Sequence, residues 1–226
     1  MNNSTKKKKI YQNFQIICFQ ERDLYPKFQN NPLKLKKKIF LSPMTVLHVT
    51  ANFGLVVISC AIICLQIIVT GFFVVGRARK KVFTKDFLRD NFGEEHEQYT
   101  NANIEETSGY PDMGNGRYSA KLDYNSWLHF NIAQRIHYNY LEFVASILMV
   151  TFLGGLNFPI LASSFGFAYA FGRLLYSIFY QSKEGAKNIW RGLGAIICDL
   201  SFLVNFILAI LCGVEFLTNG VTFEVI

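Results

Sequence analysis

From Phe53 to Val75 the chain carries no charged side chain. About 20 apolar residues are enough to cross a ~30 Å hydrocarbon core as a helix, so this run reads as a transmembrane helix. A second charge-free run extends from Phe143 to Gly172, but Gly154-Gly155-Leu156-Asn157-Phe158-Pro159 interrupts it. Two glycines and a proline in that order mark a tight turn, so the run supplies parts of two helices. A last apolar stretch, Gly192 to Val214, contains Asp199 as its one charge. The expected fold is an all-α integral membrane protein, a four-helix transmembrane bundle with helices over about 45–76, 127–153, 157–180 and 190–215.

The 23 Lys and Arg outnumber the 16 Asp and Glu and give a net charge of +7, a balance that would also suit a nucleic-acid binder. Position decides against that reading. Lys6 to Lys9, Arg22, Lys27, Lys34 and Lys36 to Lys38 all lie in residues 1–41, opposed there by Glu21 and Asp23, and the rest of the chain is nearly neutral. No nucleic-acid partner is expected. With 51% hydrophobic residues, disordered, collagen-like and disulfide-scaffold classes are excluded as well.

The division expected is a basic arm over 1–41, a membrane domain over 42–216 and a tail over 217–226. The arm lacks the apolar run of a cleaved signal, so the first helix is expected to act as an uncleaved anchor. Its Lys- and Asn-rich composition differs from an Arg-rich presequence, which favours the endoplasmic reticulum and leaves a mitochondrial membrane as the alternative. Arg77, Arg79, Lys80, Lys81, Lys85 and Arg89 follow the first helix, and Lys183, Lys187 and Arg191 separate the last two. Both basic loops fall on one face, which the distribution of Lys and Arg makes cytosolic, although the arm then lies opposite against the same rule.

The long cytosolic-side loop, 77–126, mixes both charge signs around the turn formers Ser108 to Gly116 and reads as solvated. Gly114-Asn115-Gly116 has no strand-then-helix context and no lysine to serve a phosphate cradle. Cys18, Cys60, Cys64, Cys198 and Cys212 form no CxxC pair, and His48, His96, His129 and His137 form no HExxH, so no metal is expected. A Gly-x-Ser-x-Gly elbow is also absent.

Two helical stripes carry the chemistry. Arg135, Asn139 and Glu142 are spaced i, i+4, i+7, which puts a guanidinium, an amide and a carboxylate on one face, with Asn131 a turn earlier. Ionisable groups near membrane depth usually face a bundle interior or a watered cavity. An Arg–Glu pair locking two helices would leave the same letters. Arg173, Tyr176 and Tyr180 form the second stripe, which an interfacial aromatic belt with a snorkelling Arg would equally produce. Taken together with the Arg77 to Lys81 cluster they describe a basic, phenol-lined pocket with one carboxylate. Such a pocket suits a small anion that also carries an amine, and glutathione fits.

The segment Phe130-Asn131-Ile132-Ala133-Gln134-Arg135-Ile136-His137-Tyr138-Asn139-Tyr140-Leu141-Glu142 resembles the Phe-Asn-x-x-Gln-Arg-x-His-x-Asn-x-x-Glu signature of the membrane-associated proteins in eicosanoid and glutathione metabolism, the MAPEG family. Arg79-Lys80-Lys81, Gly172-Arg173-Leu174-Leu175-Tyr176 and Arg191-Gly192-Leu193-Gly194 resemble its type-three microsomal glutathione S-transferase branch. The resemblance covers roughly residues 45–215. It implies a homotrimer of four-helix subunits, with glutathione as co-substrate between neighbours and lipophilic substrates entering from the membrane lipids. Arg135, Asn139 and Glu142 would hold glutathione with His137 close by, Arg79 and Lys80 would reach in from a neighbour's first helix, and Tyr176 and Tyr180 would line the site. The implied activity is glutathione transfer to a lipophilic electrophile or reduction of a lipid hydroperoxide.

The sequence departs from the family pattern where active relatives carry a thiolate-stabilising Arg. That position falls near Asn188 or Ile189, flanked by Lys187 and Arg191. Either Arg191 serves as the catalytic cation through a one-residue shift, or the pocket only binds. The loop is also some thirty residues longer than is usual for the branch. A non-catalytic lipid-binding scaffold, or an accessory subunit of a larger membrane complex, is therefore the alternative function.

Overall fold

The structure, a computed structural model, describes residues 45–48, 50–219 and 221–224. The basic arm expected over 1–41 lies outside the described residues. Five α-helices make up the described chain: α1 (Phe53–Val82), α2 (Lys85–Thr100), α3 (Tyr124–Asn157), α4 (Pro159–Tyr180) and α5 (Ile189–Asn219). Two short strands, β1 (Thr45–His48) and β2 (Val221–Glu224), pair in parallel beside the start of α1 and the end of α5. α1, α3 and α5 are long and apolar enough to cross a membrane, with mean hydropathies of 2.6, 1.5 and 2.4 over their most apolar windows. α4 is shorter, holds Arg173, Ser163, Ser177 and Tyr176 in its buried face, and packs on α1, α3 and α5.

The helix ends follow local chemistry. Asp123 caps α3 by accepting from the Asn125 and Ser126 N–H groups at 3.0 and 3.1 Å. Pro159 opens α4 in the first turn, where a missing N–H costs nothing. Asn188 caps α5, its Oδ1 accepting from the Trp190 N–H at 2.9 Å. Between Thr70 and Val75 α1 widens to π-type turns, the Gly76 N–H donating to the Gly71 carbonyl five residues back.

Ile63, Tyr140, Ile147, Tyr169, Ala170 and Cys198 form the core between the long helices. Polar groups at this depth have no water to turn to, so they pair across helices. The Tyr140 hydroxyl donates to Gln66 Oε1 at 2.6 Å, Gln66 Nε2 donates to the Ala170 carbonyl at 2.9 Å, and Asn205 Nδ2 donates to Thr151 Oγ1 at 3.1 Å. α4 and α5 cross where Gly172 meets Gly194. A Cβ on Gly172 would lie 2.8 Å from the Gly194 carbonyl, and one on Gly194 would lie 2.7 Å from the Tyr176 nitrogen. That crossing fixes how Arg191 sits against Tyr176.

Two expectations are corrected. The first helix runs to Val82 rather than about 76, because Ala78, Arg79 and Val82 are buried against the segment that follows. That segment is also no bare solvated loop. Thr84 Oγ1 accepts from the Phe87 N–H at 3.2 Å and starts α2, whose Leu88 and Phe92, one turn apart, pack with Phe83, Ile104 and Phe130 in a second core. Phe83 meets Phe130 edge to face with ring centres 5.2 Å apart.

The turn after α2 is organised by one carboxylate. Asp112 accepts from the Gly114, Gly116 and Ser119 N–H groups at 2.8, 3.2 and 2.9 Å and from the Ser119 hydroxyl at 2.5 Å. Burial pushes its pKa up, but the donors from Ser119, Gly114 and Gly116 outweigh burial and hold it below the usual carboxylate range. Gly114 has φ of +99°, open to glycine at no steric cost.

Candidate functional site

The α3 stripe forms as the spacing requires, but its three members do different things. Arg135 Nη1 lies 3.7 Å from Glu142 Oε1, and their side chains are 57% and 50% exposed. This is a loose, half-open pair rather than a buried lock. Asn139 is drawn inward instead, its Oδ1 accepting from Arg173 Nη1 at 2.6 Å. With the oxygen engaged, the Asn139 Nδ2 donors are the part left to meet anything else.

Arg173 itself is 3% exposed. Its guanidinium also donates from Nη2 to the Ile136 carbonyl at 3.3 Å and lies between the rings of Tyr140 and Tyr176, 4.3 and 5.1 Å from their centres. Its Nε has no partner. Spacing on α4 placed Arg173 on the face of Tyr176; its contact with Asn139 on another helix had no signal in the sequence.

Tyr176 is shared between two guanidinium groups. Arg191, in the first turn of α5, lies over Tyr176 at 4.9 Å and over Tyr180 at 5.0 Å, and the two rings meet edge to face at 5.4 Å. Arg191 makes one long hydrogen bond, Nη1 to the Ala186 carbonyl at 3.4 Å, while its Nε is buried without a partner. Asn188, near which the family's cation was expected, is the cap of α5, so Arg191 is the cation nearest to that turn that faces the phenols. Arg173 and Arg191 thus flank one phenol from two sides, with neutral groups as their hydrogen-bond partners. A cluster of this kind favours an anion.

Arg79, Lys80 and His137 assemble elsewhere, beside the π-type turns of α1. Arg79 is buried and donates from Nη1 to the Gly109 and Asp112 carbonyls at 2.7 and 2.5 Å, with Nη2 3.7 Å from the Met113 sulfur. Its guanidinium also lies over Tyr110 and Phe130. Lys80 is exposed. His137 Nδ1 is 3.1 Å from Thr70 Oγ1, and since Thr70 donates to the Ile67 carbonyl, the imidazole is the donor of that contact. Together with Ile67, Phe72, Val75 and Gln134 these residues line a cavity of about 630 Å³. Gln134, which sequence reading passed over, is 2% exposed, and neither its Oε1 nor its Nε2 has a partner.

Among the described residues, no three His, Cys, Asp or Glu side chains gather closely enough to hold a metal ion. A family model described as the MAPEG family matches residues 55–214, a span that includes both arginine clusters, the α3 stripe and the cavity. No solved structure matches the chain.

Proposed function

The chain belongs to the MAPEG family, and from that premise we propose that it is a membrane-bound glutathione transferase or glutathione-dependent peroxidase acting on lipophilic electrophiles or lipid hydroperoxides. The observation that carries the reading is Arg191, whose buried Nε has no partner while its guanidinium faces Tyr176 and Tyr180 at the start of α5. A free thiol has a pKa of about 8.5, so a cation that lowers it by two units contributes about 2.7 kcal/mol toward the thiolate. The helix N-terminus adds a favourable partial charge.

In this reading the Arg135 guanidinium takes a carboxylate of glutathione, Glu142 takes its ammonium, and the Asn139 amide donates to a peptide carbonyl. The half-open Arg135–Glu142 pair supports this, since neither group is committed to the other. A neighbouring copy in a homotrimer would cover the open side of the stripe. In transfer, the thiolate sulfur forms a bond to the electrophilic carbon, whose leaving atom departs with the electron pair and takes a proton. In peroxide reduction, the sulfur takes the terminal oxygen as the O–O bond breaks, the alkoxide is protonated, and a second glutathione gives disulfide and water. The reaction belongs in the endoplasmic reticulum membrane, with the basic loops toward the cytosol.

Ultraviolet difference absorbance of the purified protein titrated with glutathione at neutral pH tests the reading. A saturable thiolate band that disappears in Arg191→Ala supports it. Binding by calorimetry without any thiolate band overturns it in favour of a non-catalytic scaffold or complex subunit. That second reading has one observation of its own: Arg79, implied by the resemblance as a glutathione ligand, is held by the chain's own loop.

A further inference from the structure

The cavity beside α1 differs in character from the cluster around Tyr176. Its walls are Ile67, Ile68, Phe72 and Val75, and it borders the stretch where α1 widens to π-type turns, a distortion that often accompanies a binding site. Its volume of about 630 Å³ lies within the range of small-molecule sites. The cation in its wall, Arg79, is engaged by Gly109, Asp112 and Met113, and Lys80 is exposed at the rim.

The polar group left for an occupant is the Gln134 amide, buried with its donor and its acceptor both unpartnered. An unpaired amide away from water is among the least favourable groups a protein can bury, and native structures nearly always give it a partner. A primary amide offers one donor and one acceptor side by side. Its complement is an uncharged head group carrying a carbonyl and a hydroxyl. Ile68 and Phe72 line the cavity and are also exposed on the outer face of α1, which gives an acyl chain a way out toward the bilayer.

α3 turns by about 100° per residue, so Gln134 points about 100° away from Arg135 and about 140° away from Asn139. The cavity and the stripe therefore occupy different faces of one helix. We propose that the cavity is a second ligand site, which binds an uncharged single-chain lipid of the monoacylglycerol type, its ester and hydroxyl groups on Gln134 and its chain along Ile67, Ile68 and Phe72. The site does not rest on glutathione binding, and its occupant is not the thiol.

The test is photolabelling of the full chain in mild detergent with a monoacylglycerol that carries a diazirine in its acyl chain, with the matching diazirine fatty acid as the anionic comparison. Label is expected on residues 67–75, and Gln134→Leu is expected to reduce it about tenfold, the scale of a lost buried hydrogen-bond pair. The same variant is expected to melt at an equal or higher temperature, because it removes an unpartnered buried amide, and to keep any thiolate signal the native chain gives. Ile68→Trp, a change at an exposed position, fills the cavity and is expected to reduce labelling without loss of stability. No label on 67–75, label unaffected by Gln134→Leu and Ile68→Trp, equal or stronger labelling by the fatty acid, or displacement of the label by glutathione would each overturn the proposal. Loss of the thiolate band with labelling intact would instead count against the proposed activity alone.

Discussion

Arg79 and Arg191 have nearly the same aromatic surroundings and opposite hydrogen-bond status. Arg79 lies about 5 Å from the rings of Tyr110 and Phe130, Arg191 about 5 Å from those of Tyr176 and Tyr180. Arg79 closes on two carbonyls at 2.7 and 2.5 Å, whereas Arg191 has one contact at 3.4 Å and a buried Nε with none. The rings therefore say little about role. Satisfaction of the donors separates an arginine that holds the fold from one that is ready for an anion.

Arg79→Ala should break that comparison most severely. It removes two hydrogen bonds from a charged group, each worth about 1.5–3 kcal/mol, and leaves the carbonyls of Gly109 and Asp112 short of a partner. A loss of about 3–5 kcal/mol is expected in thermal unfolding, together with new protease cleavage between residues 101 and 118. Arg79→Lys should recover only part of it, since a lysine cannot span both carbonyls as a fork. Glutathione affinity should fall far less than stability. Unchanged stability with lost affinity would make Arg79 a ligand group after all.

Arg191→Ala should show the reverse pattern. Its one long hydrogen bond contributes little, so the melting temperature should barely move. The thiolate fraction at neutral pH should collapse, equivalent to about 2.7 kcal/mol if the native cation lowers the thiol by two pKa units. Turnover should drop more than binding. A variant that keeps its thiolate band would remove Arg191 from the chemistry.

How far these roles could be read in advance depends on the length scale of the interaction. The long apolar runs were legible because a membrane span depends on composition over one continuous stretch, and the Arg135–Glu142 juxtaposition was legible because helical periodicity sets it. α2 was missed among mixed charges, although Thr84 followed by Leu88 and Phe92 carried a cap and one apolar face. The partners of Asn139, Arg79 and Gln134 lie in other segments or do not exist. No spacing rule reaches across helices, so the sequence could name these residues without saying which were already satisfied.

Asp112 sharpens the structural side of the comparison through pH. Its folded pKa lies below that of the unfolded carboxyl, about 3.9, so the stability it supplies is present above that value and is lost as pH falls through the folded pKa. Asp112→Asn should cost about 1–3 kcal/mol at pH 7, by leaving donors of Gly114, Gly116 and Ser119 poorly matched. It should also flatten the decline in stability below about pH 4. Equal acid sensitivity in the variant and the native chain would assign that decline to other carboxylates.

The smallest effect on stability is expected at Arg135 and Glu142, and it tests whether the open side of the comparison is a site at all. Half exposed and 3.7 Å apart, the pair should contribute about 0.2–1 kcal/mol in a double-mutant cycle of unfolding, as solvent-screened pairs do. Both single alanine variants should nevertheless lose roughly tenfold or more in glutathione affinity, because a ligand that covers the pair removes the water that screens it. The half-open geometry places this loss at the lower end of what buried charge contacts show. A coupling of several kcal/mol in unfolding, with affinity unchanged, would make the two residues a lock between helices and leave the Arg191 cluster without its neighbouring contacts to glutathione.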